Sequence, residues 1–295
     1  MMSPRNWWLF CIPVAVWSTT FYAITLQLAS PTTPAYAVAM RFGLAALLLF
    51  GWLRFRGELQ PLDARAHRWA AVSGVCAHGI SYVLTYLAEQ HIPSGLVAIA
   101  FTLMVFMTPA LSHVIWRSVV SPRTWWGGAL GVIGVTLCFL PDVLRADLSA
   151  SFVPAMLAMI VAAFVSSVAA VCSLQLNRMA VPVTSYTAWA MTYGAVATAG
   201  YALVVDGVPQ LDSRPSFWFA FFYLSLAGTL LTFLCYLTLM KREGSARTMY
   251  ISVLSPIGAV VVSMLLEGLR PQALTIVGIL IALSGAWVTL SGKRP

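Results

Sequence analysis

Three polar side chains recur at every fourth residue in the third apolar stretch of the chain. They are His78, Tyr82 and Tyr86, at positions i, i+4 and i+8, so on a helix they share one face. An imidazole can bind a carboxylate or carry a proton near neutral pH, and phenol rings can pack on a ligand and hydrogen-bond to it. The spacing therefore predicts a substrate-binding face. The alternative is a structural polar stripe bonded to neighbouring helices.

Four further candidate binding residues lie on other apolar stretches. Trp17 and Ser18 stand near the middle of the first stretch, although tryptophan usually prefers the membrane interface. Thr232 and Tyr236 are one helical turn apart in the eighth stretch, and Tyr236 follows Tyr86 by 150 residues. We expect them to line a central cavity opposite the third stretch. Close helix packing is the alternative explanation for the hydroxyl residues.

Two charged residues suggest a gating or structural role. Arg41 is well inside an apolar stretch, seven residues after Pro34, which places it about 10 Å along a helix from that end. Glu267 comes at the end of the ninth stretch. Arg41 could also partner an anionic substrate group or extend its charge towards the interface.

The composition identifies the class of protein in which these residues must act. Of 295 residues, 60% are hydrophobic and 9% are charged, whereas soluble domains carry about 25% charged residues. The figures exclude a soluble globule and a disordered chain. A bilayer core of about 30 Å requires about 20 apolar residues per helix, so the chain has room for about ten such helices.

Ten apolar segments are visible, and they predict an all-α integral membrane protein with ten transmembrane helices. A transmembrane barrel would need short segments of alternating polarity, which are absent from the sequence. The first segment is too long for the apolar core of a signal peptide, so we interpret it as a retained helix. The segments are 7–29, 34–53, 69–88, 95–116, 122–141, 152–176, 183–205, 215–238, 246–266 and 272–291.

The basic residues alternate between the links that join these segments. Thirteen of the 17 lie in the N-terminal segment, the C-terminal segment and every second link, three lie in the other links, and Arg41 lies inside a segment. This bias predicts that both termini are cytoplasmic. It also explains the net charge of +8 without a nucleic-acid partner.

The two halves of the chain share local patterns. Val16-Trp17-Ser18-Thr19-Thr20 leads to Leu26-Gln27-Leu28, and 148 residues later Phe164-Val165-Ser166-Ser167 leads to Leu174-Gln175-Leu176. We therefore predict two repeats, 7–141 and 152–291. Each contains five helices, an odd number, so the second must be inverted in the membrane. Inverted repeats are typical of secondary transporters, which bind substrate between the two halves.

The second half resembles the EamA family of the drug/metabolite transporter superfamily. The resemblance rests on Glu243-Gly244-Ser245-Ala246-Arg247, Leu254-Ser255-Pro256, Leu266-Glu267-Gly268-Leu269 and 278–285, while Trp17-Ser18 and Arg41-Phe42 resemble first-repeat motifs. It implies two inverted five-helix repeats in a bacterial inner membrane. It also implies a secondary active transporter that exports small amphipathic metabolites such as amino acids.

Other classes of function find less support. The sequence has no nucleotide-binding motif, no nucleophile elbow and no cysteine spacing typical of zinc sites. We therefore predict no enzyme activity, no cofactor and no metal. The expected partners are a small-molecule substrate and membrane lipids, and protons are a candidate coupling ion, with His78 as their carrier. The alternatives are a translocase for a lipid-linked substrate, an integral membrane enzyme, and a receptor or structural membrane subunit.

Overall fold

The computed structural model describes residues 6–28, 30–117, 122–145, 151–243 and 251–290. These ranges form ten helices joined by short links, so the predicted all-α fold is confirmed. The helices are α1 (Trp7–Leu28), α2 (Pro34–Arg56), α3 (Ala64–Glu89), α4 (Ser94–Trp116), α5 (Pro122–Arg145), α6 (Phe152–Arg178), α7 (Val183–Val205), α8 (215–243), α9 (Ile251–Leu266) and α10 (Ala273–Leu290).

Most of these helices are long and apolar enough to cross a membrane. Seven meet that description among the described residues, and the apolar parts of α9 and α10 are shorter. Among the described residues the prediction differs most, by five residues, at the end of α8, which extends to residue 243 instead of 238, and at the start of α3, which begins at Ala64 instead of residue 69. Its N-cap is Asp63, whose carboxylate accepts a hydrogen bond from the Ala66 backbone N–H at 2.6 Å, and this cap starts the helix before the apolar run. Predicted positions 29, 246–250 and 291 lie outside the described residues.

The two halves of the bundle exchange reciprocal contacts. Helix α1 packs on α8 and α9, and its counterpart α6 packs on α3 and α4. Likewise α2 packs on α8 while α7 packs on α3. The pairs α2–α7, α4–α9 and α5–α10 join equivalent helices across the centre. Because each half has five spans, this reciprocity is the pattern of two repeats inverted in the membrane.

Glycines allow the closest of these crossings. A methyl group on Gly74 of α3 would lie 1.9 Å from the backbone carbonyl oxygen of Ala190 on α7. A methyl group on Gly134 of α5 would lie 2.2 Å from the backbone nitrogen of Ala282 on α10. Small residues at helix crossings are the usual way for membrane helices to pack, because lipid supplies no hydrophobic drive between them.

Helices α3 and α8 both contain a π-helical segment. It spans Val75–Ser81 in α3 and Tyr223–Leu231 in α8. The spacing from Trp69 to Tyr86 is 17 residues, and that from Trp218 to Tyr236 is 18, so the longer segment accompanies an additional residue. Wide turns of this kind often occur at functional sites. They interrupt the α-helical bonding near the middle of both helices.

The bundle has two distinct ends. The links at 30–33, 90–93, 206–214 and 267–272 form the cation-poor end. The links at 57–63 and 179–182, together with the ends of the helices that they join, belong to the cation-rich end. Between these ends, polar side chains from α1, α2, α3 and α8 are buried together.

Candidate functional site

Arg41 is the centre of this buried polar region. Its side chain is 2% exposed, and its guanidinium carbon lies 4.8 Å from the centroid of the Tyr82 ring and 5.2 Å from that of Phe42. At such distances a cation is attracted to the ring faces. The Arg41 Nε atom also donates to the Thr229 hydroxyl at 3.4 Å. Arg41 of α2 therefore connects the polar face of α3 with that of α8.

The predicted face of α3 is turned towards this arginine. The ring of Phe42 lies 4.7 Å from the rings of both His78 and Tyr82, measured between centroids. One turn further along, the Tyr86 hydroxyl donates to the Gln27 side-chain oxygen of α1 at 2.8 Å. His78, Tyr82 and Tyr86 are thus brought together as one wall, made with α1 and α2.

A second group of predicted residues assembles around Gly228 in the π-helical segment of α8. The Trp17 indole N–H donates to the Gly228 carbonyl at 3.2 Å, and the Thr232 hydroxyl donates to the same carbonyl at 2.9 Å. The Trp17 ring also lies 5.6 Å from the Tyr236 ring. Because Thr229 follows Gly228 directly, this group adjoins the group around Arg41. The two predicted sets therefore meet at the α8 π-helical segment.

Ser18 and Glu267 have a different setting, since both hold helix α9. The Ser18 hydroxyl donates to the Ser255 carbonyl at 3.2 Å and to its own helix at Val14. Glu267 accepts hydrogen bonds from the Ser94 backbone N–H at 3.1 Å and from the Ser94 hydroxyl at 2.9 Å, and a further one from Ser263. A carboxylate at the first turn of α4 is also favoured by the helix dipole. Ser18 makes packing contacts, and Glu267 joins α9 to α4.

Sequence reasoning missed two members of the buried region, Gln27 and Glu89. Gln27 enters the sequence analysis only as part of a repeat pattern, and Glu89 directly follows the predicted segment 69–88. Glu89 is the last residue of α3 and is 6% exposed. It lies three residues after Tyr86, so extending the 78–82–86 face by one more turn would have found it.

Several polar atoms in this region are shielded but have no hydrogen-bond partner among the described residues. They belong to side chains that are between 2% and 9% exposed. Such groups are unfavourable in an apolar interior unless a partner is supplied, and polar groups at this depth usually face a functional cavity. The atoms are Gln27 Nε2, Arg41 Nη1, His78 Nδ1 and both carboxylate oxygens of Glu89.

The site therefore offers a defined set of chemical contacts. Arg41 Nη1 and Gln27 Nε2 are free donors, and the rings of Tyr82, Phe42 and Trp17 supply apolar and π surface. By contrast, a small cleft between α2, α7 and α8 has a largely apolar lining and includes none of the predicted binding residues. The chemistry is concentrated around Arg41.

Comparison with known proteins gives this arrangement a family. The model of the EamA-like transporter family matches residues 6–140 and 153–291, one match for each half of the bundle. The chain belongs to the EamA-like transporter family. It is therefore a multi-pass membrane transporter, and the Arg41 region lies where the two EamA halves meet.

Two similar proteins are consistent with this assignment. The EamA chain is 24% identical over 265 residues to "Uncharacterized transporter sll0355" of Synechocystis sp., covering 84% of this chain and 78% of that protein. A protein of known crystal structure superposes with a TM-score of 0.67 at 18% identity, covering 97% of this chain and 96% of the other. The second likeness shows a shared fold.

Proposed function

We propose that this EamA transporter is a secondary active exporter of small amphipathic metabolites such as amino acids. The observation that carries the proposal is the free guanidinium nitrogen of buried Arg41, between two aromatic rings and close to the α8 π-helical segment. A carboxylate is the group that best fits a guanidinium. The Gln27 amide, bonded through its oxygen to Tyr86, leaves its nitrogen as a second donor for the same group.

The remaining side chains of the site suit the apolar part of such a molecule. Tyr82 and Phe42 present rings beside Arg41, and Trp17 with Tyr236 presents rings on the other side of Gly228–Thr229. An amphipathic metabolite could place its carboxylate at Arg41 and its side chain against either aromatic pair. His78 then shapes the wall of the site.

The reciprocal packing of the halves supports a mechanism of alternating access. Substrate sites of inverted-repeat transporters lie at the repeat interface, and the two ends open in turn around a fixed site. Here α1 and α6 each pack against the other half, so they would transmit a rocking motion between the halves. The distribution of basic residues supports an orientation with both termini in the cytoplasm and the cation-poor end outside the inner membrane.

Counterflow in liposomes tests the proposal. Liposomes that contain the purified protein are loaded with unlabelled compounds from a panel of amino acids, amines, organic acids and lipid-linked substrates, and the entry of labelled tracer is followed. We expect accumulation with a carboxylate-containing amphipathic compound. Accumulation only with a lipid-linked substrate would overturn the substrate class.

The same counterflow assay, applied to variants, tests which residues form the substrate site. His78→Ala and Tyr82→Ala should each lose most tracer accumulation while the protein still reaches the membrane. Tyr193→Phe is the matched control, because Tyr193 bonds His67 at 2.8 Å in a separate aromatic group on α7. Normal transport by both alanine variants would remove the site assignment.

A further inference from the structure

Two carboxyl groups at the cation-poor end, those of Glu89 and Glu267, interact with each other but have very different surroundings. Glu267 accepts hydrogen bonds from Ser94 and Ser263. Glu89 is more deeply buried, at 6% exposed, and neither of its oxygens has a donor among the described residues. A buried carboxylate without donors or an ion pair is strongly disfavoured as a charge.

The neighbouring charges do not remove this disadvantage. The groups that interact with Glu89 electrostatically are Glu267 at the end of α9, Arg41 on α2, and the Tyr86 hydroxyl on α3. Glu267 carries a like charge. Arg41 is held against Tyr82 and also interacts with Tyr86, and its attraction for the Glu89 carboxylate is a smaller effect than either burial or the repulsion from Glu267. The described residues form no ion pair with Glu89 within 4 Å.

His78 is a weaker site for a proton in this conformation. It is buried, and it interacts electrostatically with Arg41. Protonation of its imidazole would add a second positive charge beside the guanidinium, with no acidic group bonded to it. Protonation of Glu89 has the opposite effect, because it removes an uncompensated negative charge that faces the Glu267 carboxylate.

We propose that Glu89 is a proton-binding site, filled when the cation-poor end closes and emptied when that end opens. On closing, the Glu89 carboxylate takes one proton from water at this end and becomes a neutral carboxylic acid. On opening, water again reaches the group, and its O–H proton returns to water as the carboxylate forms. This inference rests on the alternating-access transport proposed above, and it makes the closure of one gate dependent on pH.

The test follows the reactivity of a cysteine at this gate. Ile92 is 2% exposed and lies in the link three residues after Glu89. An Ile92→Cys reporter is combined with Gln60→Cys, in the exposed link 57–63, in a chain that lacks the native cysteines. The purified protein in detergent is treated with a thiol reagent, and labelling at position 92 is divided by labelling at position 60, which corrects for the reagent and for thiol ionisation.

We expect the corrected rate to rise with pH as Glu89 loses its proton and the gate opens. The ratio of rates at about pH 8.5 and about pH 5.5 should be at least about tenfold larger with Glu89 than with Glu89→Gln. Glu58→Gln, on an exposed pair with Arg56, should keep the wild-type response. A Leu53→Cys reporter, buried at the cation-rich end, should not show this rise.

Two results would overturn the assignment. One is a Glu89→Gln variant with the pH response of the wild type. The other needs no variant at position 89: a reporter at position 92 whose corrected rate does not change between about pH 5 and about pH 9. The assay uses no substrate, so a failed counterflow experiment with a pH-dependent gate would count against the substrate class and not against Glu89.

Discussion

Helices α3 and α8 begin with the same local sequence at opposite ends of the bundle. Leu62-Asp63-Ala64-Arg65 with Trp69 is repeated 149 residues later as Leu211-Asp212-Ser213-Arg214 with Trp218. Asp63 caps the first turn of α3, whereas Asp212 is buried and pairs with Arg214 at 2.6 Å. The same motif therefore begins both helices but makes a helix cap in α3 and an ion pair at α8, because the inverted repeats place it in different surroundings.

The difference continues into the site. Both helices widen into a π-helical segment, but the first half supplies the titratable groups His78, Tyr86 and Glu89. The second half supplies hydroxyls and the Gly228 carbonyl, which accepts from Trp17, and its Thr229 and Thr232 hydroxyls are bonded within α8. The two halves thus share the π-helical segment, while the side chains proposed to recognise substrate belong mainly to the first half. Substitutions at equivalent positions in the two halves should show this asymmetry.

The largest expected effect is at Arg41. Arg41→Gln removes the charge that we assign to carboxylate recognition, so tracer counterflow should fall by at least about tenfold. Arg41→Lys should not restore it, because an ammonium lacks the planar fork and the ring stacking of a guanidinium. Arg56→Gln is the control, since Arg56 forms an exposed pair with Glu58 of small energetic value. Full activity in Arg41→Gln would contradict the site.

The second largest expected effect is a difference between the equivalent tyrosines Tyr86 and Tyr236. Tyr86→Phe leaves the buried Gln27 oxygen without its donor, and an unsatisfied buried group of this kind costs about 1–3 kcal/mol. Tyr236→Phe keeps the ring that packs on Trp17. We therefore expect lower transport and a lower melting temperature for Tyr86→Phe and little change for Tyr236→Phe. Equal effects in a counterflow and melting series would show that the halves contribute alike.

Packing of α3 on α7 should be broken by a single methyl group. Gly74→Ala would place that methyl group 1.9 Å from the Ala190 carbonyl oxygen, so the helices must separate, at a cost of about 1–3 kcal/mol. Gly51→Ala on α2 is the matched control, because its methyl group meets nothing within 4 Å and alanine favours a helix. Thermal unfolding in detergent measures both. A stable Gly74→Ala protein would mean that this crossing is adaptable.

These comparisons also show what the sequence could reveal. Apolar length and charge alternation predict the ten helices, because a bilayer imposes both. The shared face of His78, Tyr82 and Tyr86 follows from periodicity alone, and the structure brings it to Arg41. Ser18 could not be separated from the binding residues, because a hydroxyl that packs and a hydroxyl that binds look identical in a sequence. Glu89 was missed for a related reason. It directly follows the predicted segment 69–88, and only the fold shows that this end of the helix is buried.

The smallest expected effect is a difference in pH dependence between the two equivalent aspartates, Asp63 and Asp212. Hydrogen bonds from Arg214 hold the pKa of the Asp212 carboxyl well below its usual range, so the folded state favours the ionised form. The resulting stabilisation is present above the unfolded pKa of about 3.9 and is lost progressively as pH falls below it. The melting temperature of Asp212→Asn should therefore lie below that of wild type by a constant amount from about pH 5 to about pH 8, and the gap should narrow under more acid conditions. Asp63→Asn should change little at any pH, because an asparagine oxygen also caps a helix. If the difference in melting temperature between wild type and Asp212→Asn instead widens on acidification, the carboxylate is not the stabilising form of Asp212. The contrast between Asp212 and Asp63 would then not lie in their electrostatics.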